Sequence, residues 1–316
     1  MKIFITGGAG YVGSSLVPEL LKDYEVVVYD LFLYKYFFPP HINLTSIHGD
    51  IRDCDNLIES SKNCDVMIHL ASTGAPGKID TSVAESIDYY ATNNIIKACN
   101  VNKIDRLVMA SSTSQYGIKS LDINVTEDEP AEPIDIYGEC KIRSEKLILE
   151  SDLTSDVVFV RPSTLCGYSN RLRLDIVINA LTISALSTGI IKVHGGNQMR
   201  PMLNLLDMVR FYQMIITAPS DLINRQAFNV LYKNKTVLEL AEMVKGIVGG
   251  EIVMLPRDDN RSYHVNANKM REVLGFECKY TIEDSIYSLV EAYNNGLIPN
   301  PESSIYRNAD RFGELF

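Results

Sequence analysis

Residues 109–117 read MASSTSQYG. The stretch brings together the hydroxyls of Ser111, Ser112, Thr113, Ser114 and Tyr116, with no carboxylate, histidine or cysteine among them. Hydroxyls donate, accept and share protons. They do not carry electrons, so redox chemistry at this place needs a second group that does. The segment TGGAGYVG at 6–13 points to that group. Gly7, Gly10 and Gly13 stand as G-x-x-G-x-x-G between a predicted strand and a predicted helix. Gly7 permits the tight turn, Gly10 lets backbone approach a pyrophosphate at the helix N-terminus, and Gly13 lets helix and strand pack closely. Tyr11 and Val12 complete the loop.

Asp30 ends the second predicted strand, 17 residues beyond Gly13. A carboxylate there accepts both ribose hydroxyls of an adenosine and repels a 2′-phosphate, so the expected cofactor is NAD rather than NADP. Asp50, in GDI at 49–51, is expected to bond the adenine amino group, with Ile51 beside it. Leu70, Ala71 and Ser72, in HLAS at 69–72, end the fourth strand and are expected to line the cofactor.

The elements that must position these residues follow from the apolar pattern. Strands are predicted over 2–7, 25–30, 44–50, 65–72, 106–112 and 156–162, and helices over 11–22, 53–61, 80–102 and 135–151. Near-continuous apolar strands alternating with helices predict an α/β fold, a Rossmann-type doubly wound parallel sheet covered on both faces. Beyond Gly167 the alternation weakens. Helices are predicted over 172–188, 205–217, 236–248, 267–274 and 281–295, giving a smaller C-terminal α/β substrate domain. The division expected is 1–167 plus a returning segment about 204–230 for the dinucleotide, and 168–203 with 231–316 for the substrate. The polar tail from 300 onward is expected to be disordered or to dock on a neighbouring subunit.

Composition limits the partners. A net charge of −10 over 316 residues speaks against nucleic acid, which needs a basic face. No apolar run approaches 18 residues, so no membrane partner is expected. The six cysteines lack C-x-x-C spacing and the opening MKIFITGG enters a strand at once, which sets the expectation of free thiols, no signal peptide and a cytoplasmic setting. His41, His48, His69, His194 and His264 show no ligand spacing, so no metal is expected.

These residues resemble the extended short-chain dehydrogenase/reductases of the nucleotide-sugar epimerase/dehydratase kind. The likeness runs over T-G-x-x-G-x-x-G at 6–13, G-D at 49–50, H-L-A at 69–71, S-S-x-x-x-Y-G at 111–117, Y-x-x-x-K at 137–141, R-P at 161–162 and R-P-x-x-x-x-x-D at 200–207, and ends with RSYHVNANKMREVLGF at 261–276. The resemblance implies Tyr137 as the acid–base, with Lys141 four residues on and so on the same helix face. A lysine ammonium and a positive nicotinamide both favour the phenolate form of such a tyrosine. Lys141 would also hold the nicotinamide ribose. Ser112, five residues before Gly117, would hydrogen-bond the reacting sugar oxygen. Thr113 and Ser114 stand where 4,6-dehydratases of the family carry Asp and Glu, which argues against water loss.

On the substrate side, Arg200 and Arg261 match the family's diphosphate-binding arginines, as planar guanidinium forks suit phosphate oxygens. SNRLRLDIVINAL at 169–181 adds Arg173 and Asn179 as contacts, with Arg171 read as solvated, and resembles a subgroup that includes GDP-heptose 4-dehydrogenases. Thr164 takes the place of a frequent Asn, Asp88 replaces another, and CGY replaces YGP. Cys166 reads as packing. The expected partner is a nucleotide-diphosphate sugar. The leading expectation is an NAD-dependent 4-epimerase working through a transient 4-keto sugar. A 4-dehydrogenase or 4-ketoreductase on a GDP-, UDP-, dTDP- or CDP-sugar is the alternative, ahead of a 4,6-dehydratase and of a non-catalytic redox-sensing protein. A homodimer through helices 80–102 and 135–151 is implied.

Overall fold

The computed structural model describes residues 1–34, 36–74, 79–120, 122–256 and 262–315. Its centre is a seven-stranded sheet of β1 (Lys2–Thr6), β2 (Glu25–Asp30), β3 (Leu44–His48), β4 (Val66–His69), β5 (Arg106–Ala110), β6 (Asp156–Pro162) and β7 (Gln226–Val230). The order is β7-β6-β5-β4-β1-β2-β3, and every pairing is parallel. Val26 to Tyr29 of β2 are buried without alternation, because helices cover both faces.

On one face α1 (Gly13–Leu20) packs Leu16 and Val17 with Ile3, Ile5, Phe211 and Tyr212. On the other, α2 (Cys54–Ser60), α3 (Thr81–Glu85), α4 (Thr92–Asn102) and α5 (Ile136–Glu150) lie over Phe4, Tyr29, Met109 and Phe159. A second core, around Ile178, Leu181, Leu240, Val244, Ile286 and Leu289, joins α6 (Val177–Thr188) to the helices Val237–Val248 and Ile282–Asn294. Short sheets flank it. Thr164–Cys166, Met199–Asn204 and Lys233–Thr236 form one, and Ile190–His194 with Glu251–Leu255 another.

The sheet's order reverses beside β1: β2 and β3 lie on one side, β4 to β7 on the other. A crevice opens there at the carboxyl ends of the strands, where open α/β sheets bind ligands.

Three segments depart from the sequence expectation. The helix expected over 80–102 contains a π-helical segment, Ser86–Tyr90, between α3 and α4. The wider turn carries the Asp88 side chain inward, where it accepts from the Thr73 amide at 3.1 Å and from the Thr73 hydroxyl. The helix expected over 172–188 starts at Val177. Leu172 and Leu174 are buried, while Arg173 and Asp175, which alternate with them, pair with each other, a two-residue period that suits extended chain. The tail is neither disordered nor outside this chain. It forms a 3₁₀ turn, Ser304–Tyr306, and a helix, Asn308–Leu315, that buries Phe312 against the main sheet's core.

Among the described residues, no helix is long and apolar enough to cross a membrane, and no cluster of three or more His, Cys, Asp or Glu could hold a metal ion.

Candidate active site

The crevice is a cavity of about 580 Å³, within the range of ligand sites. Its cofactor half is built from strand ends. Gly7, Gly10, Tyr11, Val12 and Gly13 follow β1, Asp30 ends β2, Asp50 and Ile51 follow β3, and Leu70, Ala71 and Ser72 follow β4; all line the cavity.

The glycines leave room that side chains would fill. Gly7 has φ +70, and a Cβ there would sit 2.5 Å from the Ala71 backbone. A Cβ on Gly13 would meet Gly8 backbone oxygen at 2.2 Å. The Tyr11 side chain reaches toward the second core. Its hydroxyl donates to Gly167 O at 2.7 Å, and burial pushes its pKa up. The loop is thereby tied to the second core.

Asp30 accepts from the amides of Ala9 at 2.9 Å and Phe32 at 2.7 Å. Burial pushes its carboxyl up, against those two bonds and the Arg171 charge. Each carboxylate oxygen keeps a further lone pair for a ribose hydroxyl. Burial alone would raise Asp50 too, yet Arg52, which contacts it through Nε and Nη2, holds it below the usual carboxylate range. The bare, shaped loop and the carboxylate after β2 therefore fit a dinucleotide.

The other half centres on α5. Asp135 caps the helix by accepting from the Gly138 amide at 2.8 Å. Tyr137 and Lys141 both line the cavity. The Lys141 ammonium is buried, 5.5 Å from the Tyr137 ring centroid, and donates to Ala110 O at 3.0 Å. Ser112 caps the 3₁₀ turn Thr113–Tyr116, accepting from the Ser114 amide at 3.1 Å, and its Oγ lies 2.8 Å from Ser114 Oγ. Thr113 is held to Pro162 O at 3.2 Å. Ser112, Thr113 and Thr164 all face the cavity.

Beneath the turn, Arg161 meets Glu145 through Nη2 at 2.6 Å and Nε at 3.0 Å, and Nη1 donates to Tyr116 Oη at 2.9 Å. The Ser111 hydroxyl donates to the same carboxylate. Tyr116 is thus a buried structural group, since its hydroxyl also donates to Asn229 at 2.8 Å and burial pushes it up to about 12.

Arg173 and Arg200 line the cavity from the second core's side. Arg173 pairs with Asp175 at 2.8 Å and donates to Gly74 O at 2.8 Å. Asn179 does not reach the cavity. It is fully buried, accepting from the Gly167 amide at 3.0 Å and donating to Tyr11 Oη at 3.2 Å, so it holds the loop rather than a ligand. Arg261 lies outside the described residues. Arg171 is 3% exposed and lines the cavity; the reading of it as solvated is corrected. Cys166 is buried and donates to Ser285 Oγ at 3.1 Å, and burial pushes its thiol up to about 12, which makes it inert packing.

Tyr34, Asp175, Lys192, His194, Gln198, Tyr263, Asn308 and Phe312 also line the cavity. Tyr263 and Asp175 fall within the segments 261–276 and 169–181 quoted above but were not singled out there, and the others stand in no quoted motif. They arrive from a post-strand loop, from the second core and from the tail, so only the fold brings them together.

Known proteins agree with this architecture. A family model described as the NAD dependent epimerase/dehydratase family matches residues 3–230. The UDP-glucose 4-epimerase of Lactobacillus helveticus is 27% identical over 90% of this chain and 94% of its own. That of Halalkalibacterium halodurans is 25% identical over 98% of this chain and 100% of its own. Among solved structures, MoeE5 in complex with UDP-glucuronic acid and NAD superposes with a TM-score of 0.81 at 25% identity, covering 94% of this chain and 100% of its own. The Thermotoga maritima UDP-glucose 4-epimerase with UDP-glucose has the same fold, with a TM-score of 0.85 at 21% identity over 94% of this chain and 100% of its own. The chain belongs to the NAD-dependent epimerase/dehydratase family and is an enzyme of the extended short-chain dehydrogenase/reductase type.

Proposed function

We propose that the protein is an NAD-dependent nucleotide-sugar 4-epimerase. The observation that carries this reading is one cavity shared by the glycine loop with Asp30, by Tyr137 and Lys141, and by Ser112 followed by hydroxyls where a dehydratase needs carboxylates. NAD, when bound, supplies the hydride acceptor and later the hydride donor.

This chain's residues do the rest. Ser112 Oγ hydrogen-bonds the C4 oxygen and orients it. Tyr137 Oη takes the hydroxyl proton as the C4 hydride leaves, and returns it when hydride comes back to the opposite face of the 4-keto sugar. The Lys141 ammonium stabilises the phenolate and holds a ribose hydroxyl. Gly7, Gly10, Tyr11, Val12, Gly13, Asp30, Asp50, Ile51 and Leu70 to Ser72 hold the cofactor. Thr113, Thr164, Arg173, Arg200 and Arg261 hold the nucleotide sugar.

The same reading divides the labour between 1–167 with 204–230, for NAD, and 168–203 with 231–316, for the sugar nucleotide. It includes a cytoplasmic homodimer. Tyr90 and Leu149, 55% and 40% exposed on the helices expected to pair, support the dimer, and the free cysteines support a reducing setting.

UDP-sugars head the test panel because the relatives named above act on or bind them; GDP-, dTDP- and CDP-hexoses follow. The expected result is a C4 epimer without net NADH absorbance, and loss of several orders of magnitude in turnover for Tyr137→Phe with NAD still bound. Oxidised sugar with stoichiometric NADH would instead establish a 4-dehydrogenase.

A further inference from the structure

Arg171 has little of the company a buried cation ordinarily has. Its guanidinium lies 3.6 Å over the Tyr34 ring, and Nη2 donates to Asn308 Oδ1. Nη1 makes a longer, 3.4 Å contact with Leu172 O. None of these groups is a carboxylate. Arg173, two residues on, takes both oxygens of Asp175. No carboxylate bonds Arg171 directly; burial pushes the guanidinium down and outweighs the help of the Asp175 charge, which favours it only from a distance, and this is costly for a buried charge.

Its surroundings locate it on the cofactor side of the crevice. The Arg171 amide donates to Ser14 Oγ in the first turn of α1 at 3.2 Å. Ser169, two residues earlier, bonds Ser14 and Ser15 of the same turn at 2.5 Å and 3.1 Å. The Arg171 charge also acts on Asp30. Arg171 therefore stands between the glycine loop at the start of α1 and the carboxylate that ends β2. A dinucleotide places its two diphosphate charges between those points. The N-terminus of α1 supplies only about half a unit of positive charge.

We infer that Arg171 is the counter-charge for the diphosphate bridge of the dinucleotide, and that Asn308 of the C-terminal helix holds it there. Asn308 is the pivot. Its Oδ1 accepts from Arg171, its Nδ2 donates to Thr73 O at 2.8 Å, and its amide donates to Asp175 at 3.1 Å. Thr73 is in turn fixed by buried Asp88. A Cβ on Gly74 would come within 2.9 Å of Asn308 Nδ2, so the strand-end loop and the tail fit closely. The tail thus completes the cofactor site from the far end of the chain. This inference rests on the NAD reading above and deepens it.

The test is titration calorimetry on the full chain stripped of nucleotide, with NAD, ADP, adenosine and UDP as probes. Losing one charge-assisted contact should weaken NAD and ADP about ten- to a hundredfold in Arg171→Met. Adenosine, which lacks the diphosphate, and UDP, which probes the sugar-nucleotide half, should stay within about twofold of wild type. That result also shows that the variant is folded. Asn308→Asp gives Arg171 the carboxylate it lacks at nearly the same size, and should weaken NAD and ADP while sparing adenosine. Wild-type affinity for NAD and ADP in Arg171→Met would overturn the assignment alone. So would an equal loss for adenosine, or a loss confined to UDP. A wild-type chain that binds neither NAD nor ADP would overturn the cofactor reading itself.

Discussion

His69 ends β4 with its ring buried, Nδ1 2.6 Å from Thr6 Oγ1, in the wall that continues as Leu70 to Ser72. Burial, assisted by the Lys141 charge, pushes it down to about 3. In the unfolded chain the ring titrates near its ordinary value, about 6.5. Between those values the unfolded state binds the extra proton. Stability therefore rises with pH across that window, and is lost as pH falls from about 6.5 toward 3. The slope from this one group approaches ~1.4 kcal/mol per pH unit. Urea unfolding at pH 7, 6 and 5 should show the wild type losing about that much more per unit below pH 6 than His69→Gln; parallel slopes would refute it. At this scale the sequence was readable where spacing is local. Gly7, Gly10, Gly13, Asp30, Ser112, Tyr137 and Lys141 all sit in short motifs, and all face one cavity. Arg171 was misread because its partner Asn308 lies 137 residues away, and no local pattern announces such a pair.

Helix α5 carries Tyr137, Lys141 and Glu145 at intervals of four, so one face presents the pair proposed for acid–base work and then reaches under the serine turn. Glu145 joins three elements, accepting from Ser111 after β5 and from Arg161 in β6. This pair is largely hidden, with side chains 12% and 5% exposed. Removing one charge of a buried pair strands the other, at a cost of about 3–5 kcal/mol. Glu145→Gln should lower the urea midpoint by the equivalent of that loss. An unchanged midpoint would mean that the pair does not lock the turn to the helix. Most elements were legible because buried parallel strands and amphipathic helices write their periods into the chain. The π-helical segment at Ser86–Tyr90 and the late start of α6 were not. Both depend on tertiary bonds, from Asp88 to Thr73 and from the Leu174 amide to Tyr306 O at 2.8 Å, which override local helical preference.

Across the whole molecule, the cavity is walled by two cores and closed by the tail. Tyr11 of the glycine loop is bonded to Gly167 and Asn179, and Asn308 to both Thr73 and Asp175. The parallel sheet was readable from the sequence, whereas the tail's place was not, because its contacts are with residues far away in the chain, Asn308 with Thr73 and Arg171 and the Arg311 guanidinium with Leu33 O. Groups that bridge the cores make the proposed sites for cofactor and sugar nucleotide parts of one assembly. Ordering the bridge for one ligand lowers the cost of ordering it for the next. NAD at a hundred times its Kd should add about 2.7 kcal/mol, or a Tm rise of about 4 °C for a chain of this length. UDP should then raise Tm further in the presence of saturating NAD than it does alone, by the equivalent of about 1 kcal/mol or more. Thermal unfolding of the stripped chain with each ligand and with both measures the difference. Equal UDP shifts with and without NAD would mean that the two halves of the crevice bind independently, and that the bonds between the cores position residues without coupling the ligands.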